Sequence, residues 1–363
     1  MAAPADPLRG VGPELRSAAA RVTAPDPQAA AEAAGRHDQL TKPRGSLGRL
    51  EAAGIQLSGI AGRCPPPPPA PATVAVFAGD HGVLAEGVSP WPVEVTAQMV
   101  SNFCAGGAAI NVVCRQVGAE VVVVDVGVAS DLPPSPGLIL AKVRPGTANL
   151  AQGPAMSDEE AAHALDVGVR VATDLVARGA RCLITGDMGI GNTTPSAALV
   201  ASLAARPARE VTGRGTGIDD ASLERKVAVV ERALARHDRD SSPLHLLADL
   251  GGLEIAALSG FVIGGAAARV PVLVDGVIAA AATLAAEALV PGCRAYCVAG
   301  HRSTEPGAQV ALSSLGLAPL LDLEMRLGEG TGACLALPIL QASARILSEM
   351  ATFDAAGVTG KEG

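Results

Sequence analysis

Five short apolar runs recur along this chain with helix-length blocks between them, and that alternation restricts the fold more than any other feature. The runs cover 73–78, 121–126, 181–185, 271–275 and 295–299. The blocks cover 94–117, 157–177, 221–236, 252–269 and 277–289, and Ser157 with Glu160 reads as a capping box opening the second. Strands buried on both faces read as continuous apolar runs, so the pattern predicts an α/β fold, a parallel sheet covered by helices. Aromatics make up only 2% of a chain that is 49% hydrophobic, so the core is expected to be Ala, Val, Leu and Ile. With 363 residues there is room for one large domain and a smaller one. The large domain is expected over 39–312. Helical segments at 1–38 and 313–363 are expected to join as the small domain. Pro65 to Pro69 read as a stiff polyproline spacer before the first strand, or as a proline-rich recognition peptide.

The net charge of −8 argues against a general nucleic-acid or anionic-membrane binder. The apolar stretch 277–290 contains Glu287 and is too short to span a bilayer, and no basic-then-apolar leader opens the chain. Seven cysteines are scattered without a CxxC pair, which predicts reduced thiols in a cytoplasmic protein. His81 and His301 stand in loops with no second ligand at metal-binding spacing, so no metal and no cofactor is expected.

In an open α/β sheet, ligands bind beyond the carboxyl ends of the strands. Glycines and acids collect at those ends here, in Gly79-Asp80-His81-Gly82-Val83, Asp125-Val126-Gly127-Val128, Asp275-Gly276 and the stretch from Gly300 to Gly307. The richest is Gly186-Asp187-Met188-Gly189-Ile190-Gly191-Asn192-Thr193-Thr194-Pro195, between a strand and a helix. A glycine loop before a helix N-terminus presents free N–H groups and a positive dipole end, which suits a phosphate. Gly213-Arg214-Gly215-Thr216-Gly217 repeats the arrangement, with Lys226 one to two turns into the following helix. It matches neither a P-loop nor a dinucleotide fingerprint. Thr41-Lys42-Pro43-Arg44-Gly45-Ser46-Leu47-Gly48 is a further basic loop, either an anion contact or a solvated linker. Gly328-Glu329-Gly330-Thr331-Gly332 brackets one carboxylate with glycines, so that backbone and ligand approach it closely.

These motifs, together with Val95-Thr96-Ala97-Gln98-Met99-Val100, Gly251-Gly252-Leu253-Glu254-Ile255-Ala256 and His301-Arg302-Ser303-Thr304-Glu305-Pro306-Gly307, stand in one order from about residue 40 to 340. In that order the chain resembles the nicotinate-nucleotide:dimethylbenzimidazole phosphoribosyltransferases. The resemblance implies a cytoplasmic homodimer with a Rossmann-like large domain, acting in assembly of the lower ligand of cobalamin. It implies Glu329 as the general base, and Ser89, Gln98, Met188 and Leu327 around the benzimidazole. Gly189, Gly191, Asn192, Thr193, Gly215 and Lys226 would hold the mononucleotide and its phosphate. The family often carries glutamate where this chain has Asp187, and the shorter arm leaves a direct catalytic role for Asp187 open. Trp91, the only tryptophan, is either a lid over the flat base or a structural anchor.

The chemistry such a family performs fits these residues. The pyridine ring of nicotinate mononucleotide is cationic and leaves neutral without a general acid. The incoming benzimidazole must shed one N–H proton, so one base is enough. Two other readings remain on sequence grounds. A mononucleotide hydrolase would use Glu329 to activate water, and a non-catalytic binding protein would have no need of it.

Overall fold

Residues Ala72–Gly79 form β1, and all eight are buried. Val74, Val76 and Ala78 enter one apolar cluster while Ala75 and Phe77 enter another, so both faces of the strand are covered. That is why the run reads as unbroken. The computed structural model describes residues 6–359. Its sheet adds β2 (Ala119–Gly127), β3 (Leu138–Leu140), β4 (Cys182–Met188), β5 (Val272–Val274) and β6 (Cys297–Ala299). All pairings are parallel and the order is β3-β2-β1-β4-β5-β6. The chain leaves β1 toward β2 and later returns to its other side with β4. The switch point therefore falls between β1 and β4, where an α/β crevice opens.

Four helices close one face: Asp158–Ala177, Thr193–Leu203, Leu253–Ala267 and Val277–Leu289. Ser157 and Glu160 exchange the expected capping-box bonds at 3.2 and 2.8 Å. Phe77 meets Phe261 edge-on at 5.4 Å, one of few aromatic contacts in this aliphatic core. The other face is closed by Arg49–Ala61, Ala109–Val117 and Thr331–Glu349.

Four expectations need correction. The 94–117 block is two helices, Glu94–Cys104 and Ala109–Val117, because Gly106 turns left-handed at φ +78°. The 181–185 strand runs on to Met188, so Asp187 is a sheet residue at a strand end rather than a loop residue. The 313–363 segment is not helical throughout, since helix Pro306–Leu315 ends there and helix resumes only at Thr331. The short strand β3 had no apolar run long enough to announce it.

The terminal helices pack on both faces of the sheet. Helix Pro13–Ala19 docks on the first face, where Asp166 accepts from the Leu15 amide at 2.9 Å. Helix Pro27–Gln39 packs with Arg49–Ala61 and Thr331–Glu349 on the second. Thr331–Glu349 buries Leu337, Leu340 and Ala344 in the apolar cluster that covers this face of the sheet. This helix and the Glu94–Val117 segment are apolar enough by composition to cross a membrane. The first is an inner layer of the fold, and the second is interrupted at Gly106. Within the proline run Pro66 and Pro69 are buried and Pro67 and Pro68 exposed, so one side of the spacer lies on the body.

Candidate active site

A cavity of about 640 Å³ opens beyond the carboxyl ends of β4, β5 and β6. Its floor carries Glu329, Asp187 and His301, and Asp275 lies directly beneath. Glu329 sits in a turn of three successive left-handed residues, Gly328 at φ +87°, Glu329 at +63° and Gly330 at +90°. A Cβ at Gly330 would come within 2.9 Å of the Thr185 carbonyl and of Val74, so the turn is wedged against β1 and β4. Holding a non-glycine residue left-handed costs free energy, and its surroundings must enforce it.

The carboxylate of Glu329 is 6% exposed and accepts one backbone hydrogen bond, from the Ile110 amide at 3.2 Å. Ile110 lies in the first turn of helix Ala109–Val117, so the break at Gly106 creates the helix N-terminus that faces the base. Burial pushes the Glu329 carboxyl above its ordinary value, the Ile110 bond opposes that, and the Asp275 charge adds to it. Asp275 in turn accepts from the Gly330 and Ala333 amides at 3.2 and 2.9 Å, fixing the turn that carries Glu329. His301 lies 3.3 Å from Asp275; burial lowers its basicity, but the Asp275 contact raises it more.

Asp187 is a different carboxyl. Burial, then the charges of Asp275 and Glu254, hold it well above the usual carboxylate range, against the Asn192 amide donating at 3.0 Å. It keeps its proton where an ordinary aspartate has lost it.

The other end of the cavity is cationic. Lys226 is 1% exposed and donates to Thr193 Oγ1 at 2.8 Å and to the Gly213 carbonyl at 3.1 Å. Burial draws it down to about 8, opposed by the charge of Glu305. Arg214 and Arg326 line the same end, Arg326 donating to the Gly215 carbonyl.

A family model described as a phosphoribosyltransferase matches residues 22–358. Nicotinate-nucleotide–dimethylbenzimidazole phosphoribosyltransferases from Salinispora tropica and Chloroflexus aurantiacus are each 56% identical to the chain, covering 93% of it and 96% of their own lengths. The crystal structure of the enzyme of that name from Thermus thermophilus superposes with a TM-score of 0.89 at 50% identity, over 92% of this chain and 99% of that one. The chain belongs to the nicotinate-nucleotide:dimethylbenzimidazole phosphoribosyltransferase family.

The cavity of this phosphoribosyltransferase gathers most of the residues singled out in the sequence: Ser89, Asp187, Met188, Gly189, Gly191, Asn192, Thr193, Gly215, Lys226, Leu327 and Glu329 all line it. Gln98 does not. It is exposed, while Val95 and Met99 on the same helix face the cavity. Helical spacing fits this, because 95 and 99 lie within about 40° of each other while 98 is turned away from them by about 60° and 100°. Asn192 is present, but its amide is committed to Asp187. Trp91 is half exposed and lines the cavity. His81 is a fully buried partner of Glu254 at 2.9 Å.

Sequence reasoning gave no role to Glu305, Ser303, Arg326 or the Ile110 amide. Glu305 and Ser303 stood inside the 301–307 motif, and Arg326 directly precedes Leu327, so proximity to assigned motifs was the available signal. The Ile110 amide left none, since a backbone group has no residue identity.

Proposed function

We propose that this transferase moves the phosphoribosyl group of nicotinate mononucleotide to 5,6-dimethylbenzimidazole, giving α-ribazole 5′-phosphate and nicotinate. The displacement is direct and inverts C1′, turning a β-nucleotide into an α-ribotide. A benzimidazole ring nitrogen forms the new bond to C1′, the C1′–pyridinium bond breaks with its electrons going to nicotinate, and Glu329 takes the proton from the other ring nitrogen.

The observation that carries this reading is the division of labour among the three carboxyls lining the cavity. Glu305 is engaged at the 213–217 turn, Asp187 is held well above the usual carboxylate range and is bonded to Asn192, and Glu329 faces the cavity with a raised basicity suited to accepting a proton. The apolar wall of Val88, Val95, Met99 and Met188 suits a flat aromatic base. The remaining labour is holding two substrates in line, which rigid loops at strand ends do well.

Chromatography of the products tests this directly. Nicotinate and an α-ribotide should appear together and only when the benzimidazole is present. Nicotinate released without any base would make the protein a hydrolase instead.

Lys226→Ala should raise KM for the mononucleotide and leave KM for the benzimidazole unchanged. The expected loss is about 1.5–3 kcal/mol, that of a hydrogen bond to a charged group. A rise confined to the base would mean that the two sub-sites are exchanged. No group of three or more His, Cys, Asp or Glu side chains converges for a metal among the described residues. Prolonged EDTA treatment is therefore expected to leave turnover intact, and a loss restored by one divalent ion would contradict this.

We also read the protein as a cytoplasmic homodimer. Its seven free cysteines fit a reducing compartment. Half-exposed Trp91 and Leu327 at the cavity mouth offer apolar surface for a second copy to cover. Light scattering of the purified protein checks the mass.

A further inference from the structure

Glu305 occupies the N-cap position of helix Pro306–Leu315, yet its side chain does not cap that helix. It reaches instead to the turn at 213–217, where Oε1 accepts the Gly215 amide at 2.8 Å. The turn leaves room for it: a Cβ on Gly213 would lie 2.0 Å from Glu305 Oε2. Lys226 holds the same turn through the Gly213 carbonyl at 3.1 Å. A carboxylate and an ammonium, 6% and 1% exposed, thus grip one short turn, one by its amide and the other by its carbonyl.

The other charged groups near Lys226 supply it with no negative partner. Arg214 pairs with Asp220, and Arg326 donates to the Gly215 carbonyl. On the short helix Ala208–Val211, Arg209 pairs with Glu224 and Glu210 with Arg206. Helix Thr193–Leu203 carries no ionisable side chain. Asp187, Glu329 and His301 lie on the floor of the same cavity.

We infer that Glu305 is a positioning residue of the phosphate site, holding the 213–217 turn in place and keeping the buried Lys226 ammonium charged before the mononucleotide enters. The inference rests on Lys226 being the cation for the phosphate. A bound phosphate would itself balance the lysine, and among the described residues Glu305 is the negative charge that does so in the empty site. An unpaired buried ammonium is costly and gives up its proton instead. Burial already draws Lys226 down, and the charge of Glu305 is what opposes the fall. The carboxylate therefore matters most where the lysine is about to titrate.

The experiment uses the full-length enzyme with nicotinate mononucleotide and 5,6-dimethylbenzimidazole, measuring KM for each from about pH 6 to about pH 9.5, across the lysine's titration. In the wild-type protein, KM for the mononucleotide should rise above a pH of about 8 as Lys226 loses its proton. Glu305→Gln keeps an acceptor for the Gly215 amide but no charge. Its rise should begin at least about one pH unit lower, the small end of what a nearby opposite charge does. KM for the benzimidazole should not follow. Glu305→Asp keeps the charge and should hold the limb near its wild-type pH whatever its overall affinity, which also serves if the Gln variant folds poorly. Lys226→Arg should abolish the limb, because a guanidinium does not titrate in this range.

A limb in Glu305→Gln that superimposes on the wild-type one, or an Asp variant shifted to lower pH, overturns the inference. If Lys226→Ala leaves the mononucleotide KM unchanged, or Lys226→Arg keeps the limb, the assignment of Lys226 itself falls. The two failures are thus distinguishable.

Discussion

Glu329→Gln is expected to lower turnover by roughly 10²–10⁴-fold, the range for loss of a general base, while mononucleotide binding persists. Glutamine has nearly the same shape and retains an oxygen for the Ile110 amide, so the turn at 328–330 should survive. Only the capacity to take a proton is removed. Asp187 is not expected to replace it, because burial and the charges of Asp275 and Glu254 raise that carboxyl well above the usual range and its Oδ2 is bonded to the Asn192 amide.

The pH profile carries the same information. Burial raises the Glu329 carboxyl above its ordinary value, so the basic form is present above that raised value and is lost as pH falls through it. Turnover of the wild-type enzyme should therefore drop on the acid side at a pH above the usual glutamate range. The residual activity of Glu329→Gln should lack that limb. Near-native turnover in the variant would move the base elsewhere.

Gly168→Ala is the second large effect, and it falls on stability. Helices Asp158–Ala177 and Leu253–Ala267 cross almost backbone to backbone. A Cβ on Gly168 would lie 1.8 Å from the Ala257 carbonyl oxygen, and one on Gly260 would lie 2.0 Å from that of Leu165. The obstructing atoms are backbone, so no rotamer change relieves the clash and the helices must separate. Overpacking usually costs about 1–3 kcal/mol, and a rigid obstruction puts this case at or above the upper end. Alanine's better helix propensity returns only about 1 kcal/mol. A net loss of about 2 kcal/mol or more is a large part of the roughly 5–15 kcal/mol that holds a typical protein folded. At about 2–4 °C per kcal/mol for chains of 150–250 residues, the thermal midpoint should fall by several degrees or more. An unchanged midpoint would mean that this crossing yields freely.

The outline of the fold was legible because buried parallel strands and covering helices write themselves as local patterns. Five of the six strands, and helix Val277–Leu289 with its bounds, follow from runs and periodicity. The bend at Gly106 did not, since one glycine pair inside an otherwise apolar, helix-favouring stretch costs about as much as neighbouring contacts return. Strand β3 is three residues long and is held by pairing with β2, not by any pattern of its own.

At the site, the residues that sequence identified are those whose chemistry depends on their immediate neighbours in the chain. Glu329 needs flanking glycines to stand in a left-handed turn. Gly189, Gly191 and Gly215 need none of the distant chain to mark them as loop residues beside helix starts. The tuning of these groups is another matter. Ile110 and Glu329 are 219 residues apart, and Glu305 and Gly215 are 90 apart. Neither contact has a local signature, because proximity of that kind is set by strand order. The same strand order buries Asp187 among other carboxyls and so makes it hold a proton, which no reading of its neighbours in the chain could reveal. Local pattern was thus enough for the α/β architecture, the glycine loops and the candidate base. The raised proton affinity of Asp187, the exclusion of Gln98 from the cavity and the meeting of Lys226 and Glu305 on one turn arise on folding, because charge and exposure depend on what lies nearby in space rather than along the chain.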